Sequence, residues 1–240
     1  MLTWTSAEAT DVGAKRKINE DSMLSRTDVG LWVVADGMGG HAAGDVASQA
    51  VVTALSQLKP SEDLADFVDA IEDKLLLVNH QLRRQGQEAL GGRTLGTTVI
   101  SLFFADTMGA CVWAGDSRAY LFRDGQLTRI SHDHSAVQEM IDSGMITQEQ
   151  AGFHPHRNVI TRAVGGGEQL FPEVRVFTIQ AGDWYFICSD GFYNELSEDV
   201  IAAHLVQATP KESIDILMEK ALAHGALDNV TLIIIKVGEA

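Results

Sequence analysis

Cysteine is scarce in this sequence: of 240 residues only Cys111 and Cys188 are cysteines. Both sit inside apolar, strand-like runs, which points to buried reduced thiols rather than a disulfide or a nucleophile. No CxxC, HExxH or mixed Cys/His spacing of a metal site occurs. No apolar run approaches the roughly 20 residues of a membrane span, and the opening MLTWTSAEATD lacks a signal-peptide pattern. A cytoplasmic protein is expected. Proline is limited to four residues, and no Pro, Gly or Ser-rich linker, repeat or low-complexity stretch divides the chain. One domain over residues 1–240 is therefore expected. Basic residues are also few, 18 against 33 acidic, for a formal net charge of −15. That balance argues against nucleic acid or an anionic membrane as partner, and it means that an anionic substrate needs local cations to reverse the field.

What is present centres on Leu31 to Ala47, LWVVADGMGGHAAGDVA. Trp32, Val33 and Val34 form a bulky apolar run of the kind a buried strand needs, and it stops at Asp36. Gly37, Gly39, Gly40 and Gly44 follow, lowering the steric bar to close approach of the main chain. From Ala43 the residues Val46, Ala50, Val51 and Ala54 recur at helical spacing. The order is strand, acidic glycine loop, helix. Gly37-Met38-Gly39-Gly40-His41-Ala42 fits a loosened dinucleotide fingerprint, G-x-G-x-x-A. Against a dinucleotide stands Asp36, a carboxylate directly before the glycines that have to receive a pyrophosphate.

Along the rest of the chain, residues 1–30 read as extended segments around a polar cluster, Arg16 to Asp21. Pro60 and Ser61 mark a helix start with Glu62 and Asp63 in the first turn, and Leu64, Phe67, Val68, Ile71, Leu75 and Val78 continue at helical spacing. After a break at Gly91–Gly96, TTVISLFFA and ACVWAGDSRAYLFRDGQLTRIS return to strand, with Asp124-Gly125 a hairpin signal. HSAVQEMIDSG reads as a short helix and Thr147 to Gln150 as a capping box before another turn. VRVFTIQ and DWYFICSDG read as a strand pair, helices begin at Ser197 and Lys211, and Gly225 closes the second. VTLIIIKV is a buried final strand, and no sensor or membrane anchor is expected after it. Strands at both ends with helices between argue for an α+β layered domain.

Four segments place a carboxylate at an apolar strand boundary: Asp36, Asp116, Asp190 and Asp228. Each alone has an ordinary explanation, since Asp is common where strands turn. Gathered at one sheet end they repel unless protonated or bridged by cations. With no Cys cluster, oxygen ligation points to a hard cation such as Mg²⁺ or Mn²⁺.

The ordered series Arg16-x-x-Asn19-Glu20-Asp21, Asp36-Gly37-Met38-Gly39-Gly40-His41, Gly96-Thr97-Thr98, Gly115-Asp116-Ser117-Arg118, Asp133-His134-Ser135, Thr161-Arg162-Ala163-Val164-Gly165, Ser189-Asp190-Gly191 and Asp228-Asn229 resembles the motifs of the metal-dependent Ser/Thr protein phosphatases, the PPM or type 2C family. The resemblance runs from near residue 10 to the C-terminus. It implies a central β-sandwich of two antiparallel sheets flanked by helices on both sides, a four-layer αββα arrangement, with two Mn²⁺ or Mg²⁺ ions at one edge. It further implies that Asp36 bridges the two ions, that Glu20 and the Gly37 carbonyl help hold one, and that Asp190 and Asp228 hold the other. Asp116, with Asp190, matches the position of a third ion in bacterial members. Asp21 orients water, and Arg16 grips the substrate phosphate. The reaction implied is hydrolysis of phosphoserine and phosphothreonine by metal-activated water, in a bacterial monomer opposing a cognate Ser/Thr kinase.

Met38 departs from the eukaryotic pattern, where a His at this place serves as general acid, so the acid is unassigned. His41 is one replacement; a locally hydrogen-bonded helix-start residue is the other reading. His132 and His134 read as structural. Residues 143–158 correspond to the flap beside the active site in bacterial relatives, with His154, Pro155, His156 and Arg157 facing the phosphopeptide. Two rivals remain. A pseudophosphatase that binds phosphoprotein without hydrolysis requires a missing metal ligand, and a dinucleotide-binding dehydrogenase leaves Asp116, Asp190 and Asp228 unexplained.

Overall fold

The computed structural model describes residues 1–39, 43–61, 63–89, 94–205 and 209–239. Gly40, His41, Ala42, Glu62 and Gly91, on which parts of the sequence reading fall, lie outside the described residues.

In chain order the elements are β1 (Leu2–Asp11), β2 (Asp21–Arg26), β3 (Leu31–Met38), α1 (Gly44–Ser56), α2 (Leu64–Ala89), β4 (Gly96–Thr97), β5 (Val99–Ala105), β6 (Met108–Ala114), β7 (Arg118–Arg123) and β8 (Gln126–Arg129). There follow α3 (Ala136–Asp142), α4 (Gln148–Ala151), β9 (Glu173–Thr178), β10 (Trp184–Cys188), α5 (Asp190–Tyr193), α6 (Glu198–Leu205), α7 (Pro210–His224) and β11 (Val230–Glu239). One sheet has the order β1-β11-β10-β7-β8 and the other β2-β3-β5-β6-β9, with β4 added on β3. Every pairing is antiparallel.

The strands carry apolar side chains on both faces because both faces are covered. Trp32, Val34, Ile100, Leu102, Trp113, Tyr185, Ile187, Ile233 and Ile235 fill the space between the sheets. The alternate residues of the same strands, such as Leu31, Val33, Val99 and Phe103, pack against Ala47, Val51, Leu55, Phe67, Ile71 and Leu75 of α1 and α2. On the other side Phe186, Leu232 and Ile234 pack against Ile201, Ile214, Leu217 and Ala221 of α6 and α7. The layers are helix, sheet, sheet, helix, as the resemblance implied. Each such side chain contributes roughly 1.5–3 kcal/mol by leaving water.

Several local expectations hold and two do not. Asp124 and Gly125 both take positive φ, 52° and 77°, as a tight two-residue hairpin between β7 and β8 requires. Thr147 and Gln150 form the capping box at α4, Gly225 closes α7 at φ 127°, and both cysteines are buried and free. The strand pair over VRVFTIQ and DWYFICSDG is corrected: β9 pairs with β6, while β10 lies between β7 and β11 in the opposite sheet. The buried stripe of α1 is also shifted, running through Gly44, Ala47, Ser48, Val51, Val52 and Leu55, and Val46 is exposed. A glycine and a serine belong to that face because main chain and Glu20 press against it there.

Candidate active site

Strand alternation places the acidic residues. In β3, Trp32 and Val34 point between the sheets, so Asp36, two residues on, continues that face beyond the apolar core. Its register partner on β2 is Asp21, which therefore lies on the same face. In the opposite sheet Tyr185 and Ile187 lead to Ser189, and Ile235 and Ile233 lead back to Thr231. The two hydroxyls donate to Asp21 Oδ2, Ser189 Oγ at 2.8 Å and Thr231 Oγ1 at 2.7 Å. Asp21 thus pins one sheet to the other. Burial pushes its carboxyl up to about 7, against the pull of those two hydrogen bonds and with the added repulsion of Asp190 and Asp228.

Asp36 is fixed through its own backbone. Its N–H donates to Thr98 Oγ1 at 3.0 Å, and its carbonyl accepts from Thr98 N at 2.8 Å and Thr97 Oγ1 at 2.9 Å. Thr98 Oγ1 also meets Ser117 Oγ at 2.7 Å. The Gly96-Thr97-Thr98 and Gly115-Asp116-Ser117 motifs are therefore a cradle for the strand tip. Burial, then Asp21, Asp190, Asp116 and Asp228, hold the Asp36 carboxyl well above the ordinary carboxylate range. Asp116 is likewise buried and pushed up to about 7, by burial first and then by Asp190 and Asp133. Asp190, the first residue of α5, is raised by burial and then by Asp228.

Glu20 and the Gly37 carbonyl converge on Gly44. A Cβ built on Gly44 falls 2.6 Å from Glu20 Oε1 and 2.7 Å from Gly37 O, and Gly44 N donates to Glu20 Oε1 at 3.2 Å. Only glycine leaves room for two oxygens to face the same point. On the far side Arg16 Nη2 donates to Asp228 Oδ2 at 2.7 Å, with Nη1 3.8 Å from Glu20 Oε2. The structure therefore brings together all the residues singled out in the sequence: Arg16, Glu20, Asp21, Asp36, Gly37, Asp116, Asp190 and Asp228. It aims Arg16 at carboxylates.

Asp21, Asp190, Asp116 and Asp228 each raise the proton affinity of Asp36, and Arg16 pairs with Asp228 beside them. Among the described residues no three His, Cys, Asp or Glu side chains are gathered closely enough to close around one ion. The donor chemistry nevertheless fits hard divalent cations: carboxylates and a main-chain carbonyl, all oxygen, with negative charge in excess.

Several contributors were not identified from sequence. Thr231 was read only as part of the final strand, and Ser189, Thr98 and Ser117 only as parts of motifs. Arg118 holds buried Asp133 through Nε and Nη2, the latter at 2.7 Å, with its guanidinium 3.6 Å from the centre of the Tyr193 ring. His134 is structural as expected: it is buried, accepts from Gly115 N at Nδ1 over 3.1 Å, and burial lowers its pKa. His132 pairs with Asp142. A cleft of about 600 Å³ opens beside the cluster, lined by Asp116, Asp190 and Asp228 and also by Gln148, Arg157 and Asn158.

Fold and site together define a hard-cation centre at the open end of an αββα sandwich. The sequence profile described as Protein phosphatase 2C matches residues 13–224, and the chain belongs to that family. It is 39% identical over 228 residues to the serine/threonine protein phosphatase PstP of Mycobacterium tuberculosis, a match covering 95% of this chain and 44% of that protein. The chain thus spans under half the length of that relative. To the protein phosphatase PhpP of Streptococcus pneumoniae it is 31% identical over 241 residues, with 96% of each chain covered. Among solved structures, the catalytic domain of PstP in complex with two manganese ions superposes with a TM-score of 0.89 at 36% identity and complete coverage of both chains.

Proposed function

We propose that this chain is a protein-serine/threonine phosphatase that hydrolyses phosphoserine and phosphothreonine in protein substrates and opposes a Ser/Thr kinase. The observation that carries the reading is the placing of acidic groups from both sheets at one end of the sandwich: Asp36 feels Asp21, Asp190, Asp116 and Asp228, Glu20 Oε1 and Gly37 O meet at Gly44, and Asp116, Asp190 and Asp228 line an open cleft. Family membership and the two manganese ions of PstP support two Mn²⁺ or Mg²⁺ ions there. Asp36 would be shared between them, with Glu20 and the Gly37 carbonyl on one side and Asp190 and Asp228 on the other; Asp116, with Asp190, would take a third.

Two such cations supply an activated water and neutralise charge on the phosphoryl oxygens. The chain's own residues do the rest. Arg16 exchanges its carboxylate partners for the phosphate, which its planar fork receives bidentately. Asp21, anchored to Ser189 and Thr231, orients water at a fixed point between the sheets. Met38, whose Cε lies 2.9 Å from the position of a Cβ on Gly96, packs over β4 and offers no proton to the leaving alkoxide. The segment 143–158, which lends Gln148, Arg157 and Asn158 to the cleft lining, acts as the flap that meets the peptide. Every ligand that a pseudophosphatase has to lack is present.

The test is hydrolysis of a phosphothreonine peptide with Mn²⁺, with and without EDTA, for wild type and Asp36→Asn. Turnover that EDTA leaves intact, or full activity in the variant, contradicts the reading.

A further inference from the structure

Asn229 follows Asp228 and is all but buried, with 4% of its surface exposed. Its side chain reaches across to the segment between β1 and β2. Nδ2 donates to Val12 O at 2.9 Å and to Ile18 O at 3.1 Å, and Oδ1 accepts from Glu20 N at 2.8 Å. The orientation of the amide is unambiguous, because two carbonyls demand the NH₂ and one N–H demands the oxygen. Both N–H bonds are used, and three backbone groups of the loop have this one amide as partner.

The two carbonyls lie on either side of Lys15, Arg16 and Lys17, so the amide closes the neck of the loop that carries Arg16. Its third bond fixes the backbone of Glu20 where the loop enters β2. The main chain at the same position orients the neighbouring carboxylate: Asn229 N donates to Asp228 Oδ1 at 2.8 Å. The loop is further seated by Ala14 N on Ala226 O at 2.8 Å, and a Cβ on Gly13 would fall 2.0 Å from Asp228 O. Three members of the site, Arg16, Glu20 and Asp228, are thus referred to one residue.

We infer that Asn229 is a positioning residue, whose amide sets the Arg16–Glu20 loop against Asp228 and so fixes the spacing of the cation and phosphate site. This rests on the phosphatase reading for the role of the site, but not for the clamp itself. Partners that orient ligating groups commonly change metal affinity 10- to 100-fold when removed. A general loss of stability does not select one loop or one ion.

The experiment compares Asn229→Ala with wild type and with Leu217→Ala, a substitution in the core of α7 away from the site. Three readings are taken: Mn²⁺ affinity by calorimetry, tryptic cleavage at Lys15, Arg16 and Lys17, and KM and kcat for p-nitrophenyl phosphate at saturating Mn²⁺. Asn229→Ala is expected to weaken Mn²⁺ at least about 10-fold, to speed cleavage at those three sites, and to raise KM more than it lowers kcat. Leu217→Ala is expected to lower Tm with Mn²⁺ affinity within about twofold of wild type. Should the alanine variant fail to fold, Asn229→Ser is read in the same way. Mn²⁺ affinity and tryptic rate matching those of Leu217→Ala overturn the inference. If wild type itself neither binds Mn²⁺ nor hydrolyses the ester, the phosphatase reading falls, and the tryptic comparison still decides whether the clamp exists.

Discussion

Asp21 and Asp36 are direct register partners across β2 and β3, two carboxylates set opposite each other on the face that looks toward the second sheet. Like charges in this relation destabilise a strand pair. The chain keeps them although Asp21 alone, through Ser189 and Thr231, suffices to tie the sheets. In EDTA at pH 8, Asp36→Asn is expected to melt above wild type, while peptide phosphatase activity in Mn²⁺ falls at least about 100-fold. A gain of about 1 kcal/mol corresponds to roughly 2–4 °C at this chain length. Scanning calorimetry checks it, and a lower Tm in EDTA speaks against stored repulsion.

Asp21 and Asp116 are both raised to about 7 by burial. The folded, metal-free protein therefore binds more protons than the unfolded chain, whose aspartates titrate near 3.9. With more protons on the native state, stability falls as pH rises. It is fully present below about pH 4 and is lost as pH climbs through the folded value near 7. Melting in EDTA between pH 4 and 8 is expected to show this decline, and saturating Mn²⁺ to flatten it at the alkaline end. A metal-free Tm that rises across that interval contradicts the assignment.

Gly44→Ala places a methyl between Glu20 Oε1 and Gly37 O, both under 3 Å from it. Mn²⁺ affinity is expected to fall by about 10-fold or more, with about 1–3 kcal/mol of overpacking strain. Gly152→Ala, whose Cβ meets nothing nearer than 3.9 Å, serves as the tolerated control. Equal Mn²⁺ affinity in the two variants removes the argument from close approach.

Arg157 lines the same cleft as Asp116, Asp190 and Asp228. Arg157→Ala is expected to raise KM for a phosphothreonine peptide several-fold and to leave p-nitrophenyl phosphate, which lacks the peptide, nearly unchanged. Replacement of residues 143–158 by another flap is expected to alter peptide preference. Steady-state kinetics on the two substrates decide it: an equal change on both places Arg157 in the chemistry instead.

Away from the site, Arg123 grips buried Asp183 through Nε and Nη2, each at 2.6 Å. Arg123→Met strands that carboxylate with Tyr185 OH and Gln180 N as partners. About 3–5 kcal/mol of stability is expected to be lost, measurable by urea titration, with Mn²⁺ affinity unchanged.

The strand-tip aspartates were readable because an apolar run ending in a carboxylate is a local pattern, and so were the Asp124-Gly125 hairpin and the Thr147 cap. Sheet membership was not. Strands β9 and β10 are neighbours in sequence but lie in opposite sheets, and a strand such as β10, buried on both faces, carries no alternation to betray its partners. The clamp made by Asn229 joins positions 211 and 217 residues apart, and nothing local to Asn229 announces either carbonyl. The Val46 stripe was misplaced because the helix face is decided by what Glu20 and Gly37 leave room for, not by hydrophobicity alone.

Glu20, Asp21 and Asp36 hang from one sheet, while Asp190 and Asp228 lie at the ends of β10 and β11 in the other. A cation held among them is therefore a rivet through the sandwich, and melting has to break it. Each tenfold excess of ion over its dissociation constant adds about 1.4 kcal/mol to the folded state. On the proposed metal site, metal starvation would shorten the life of the folded chain as well as its activity, through the carboxylates that join the two sheets.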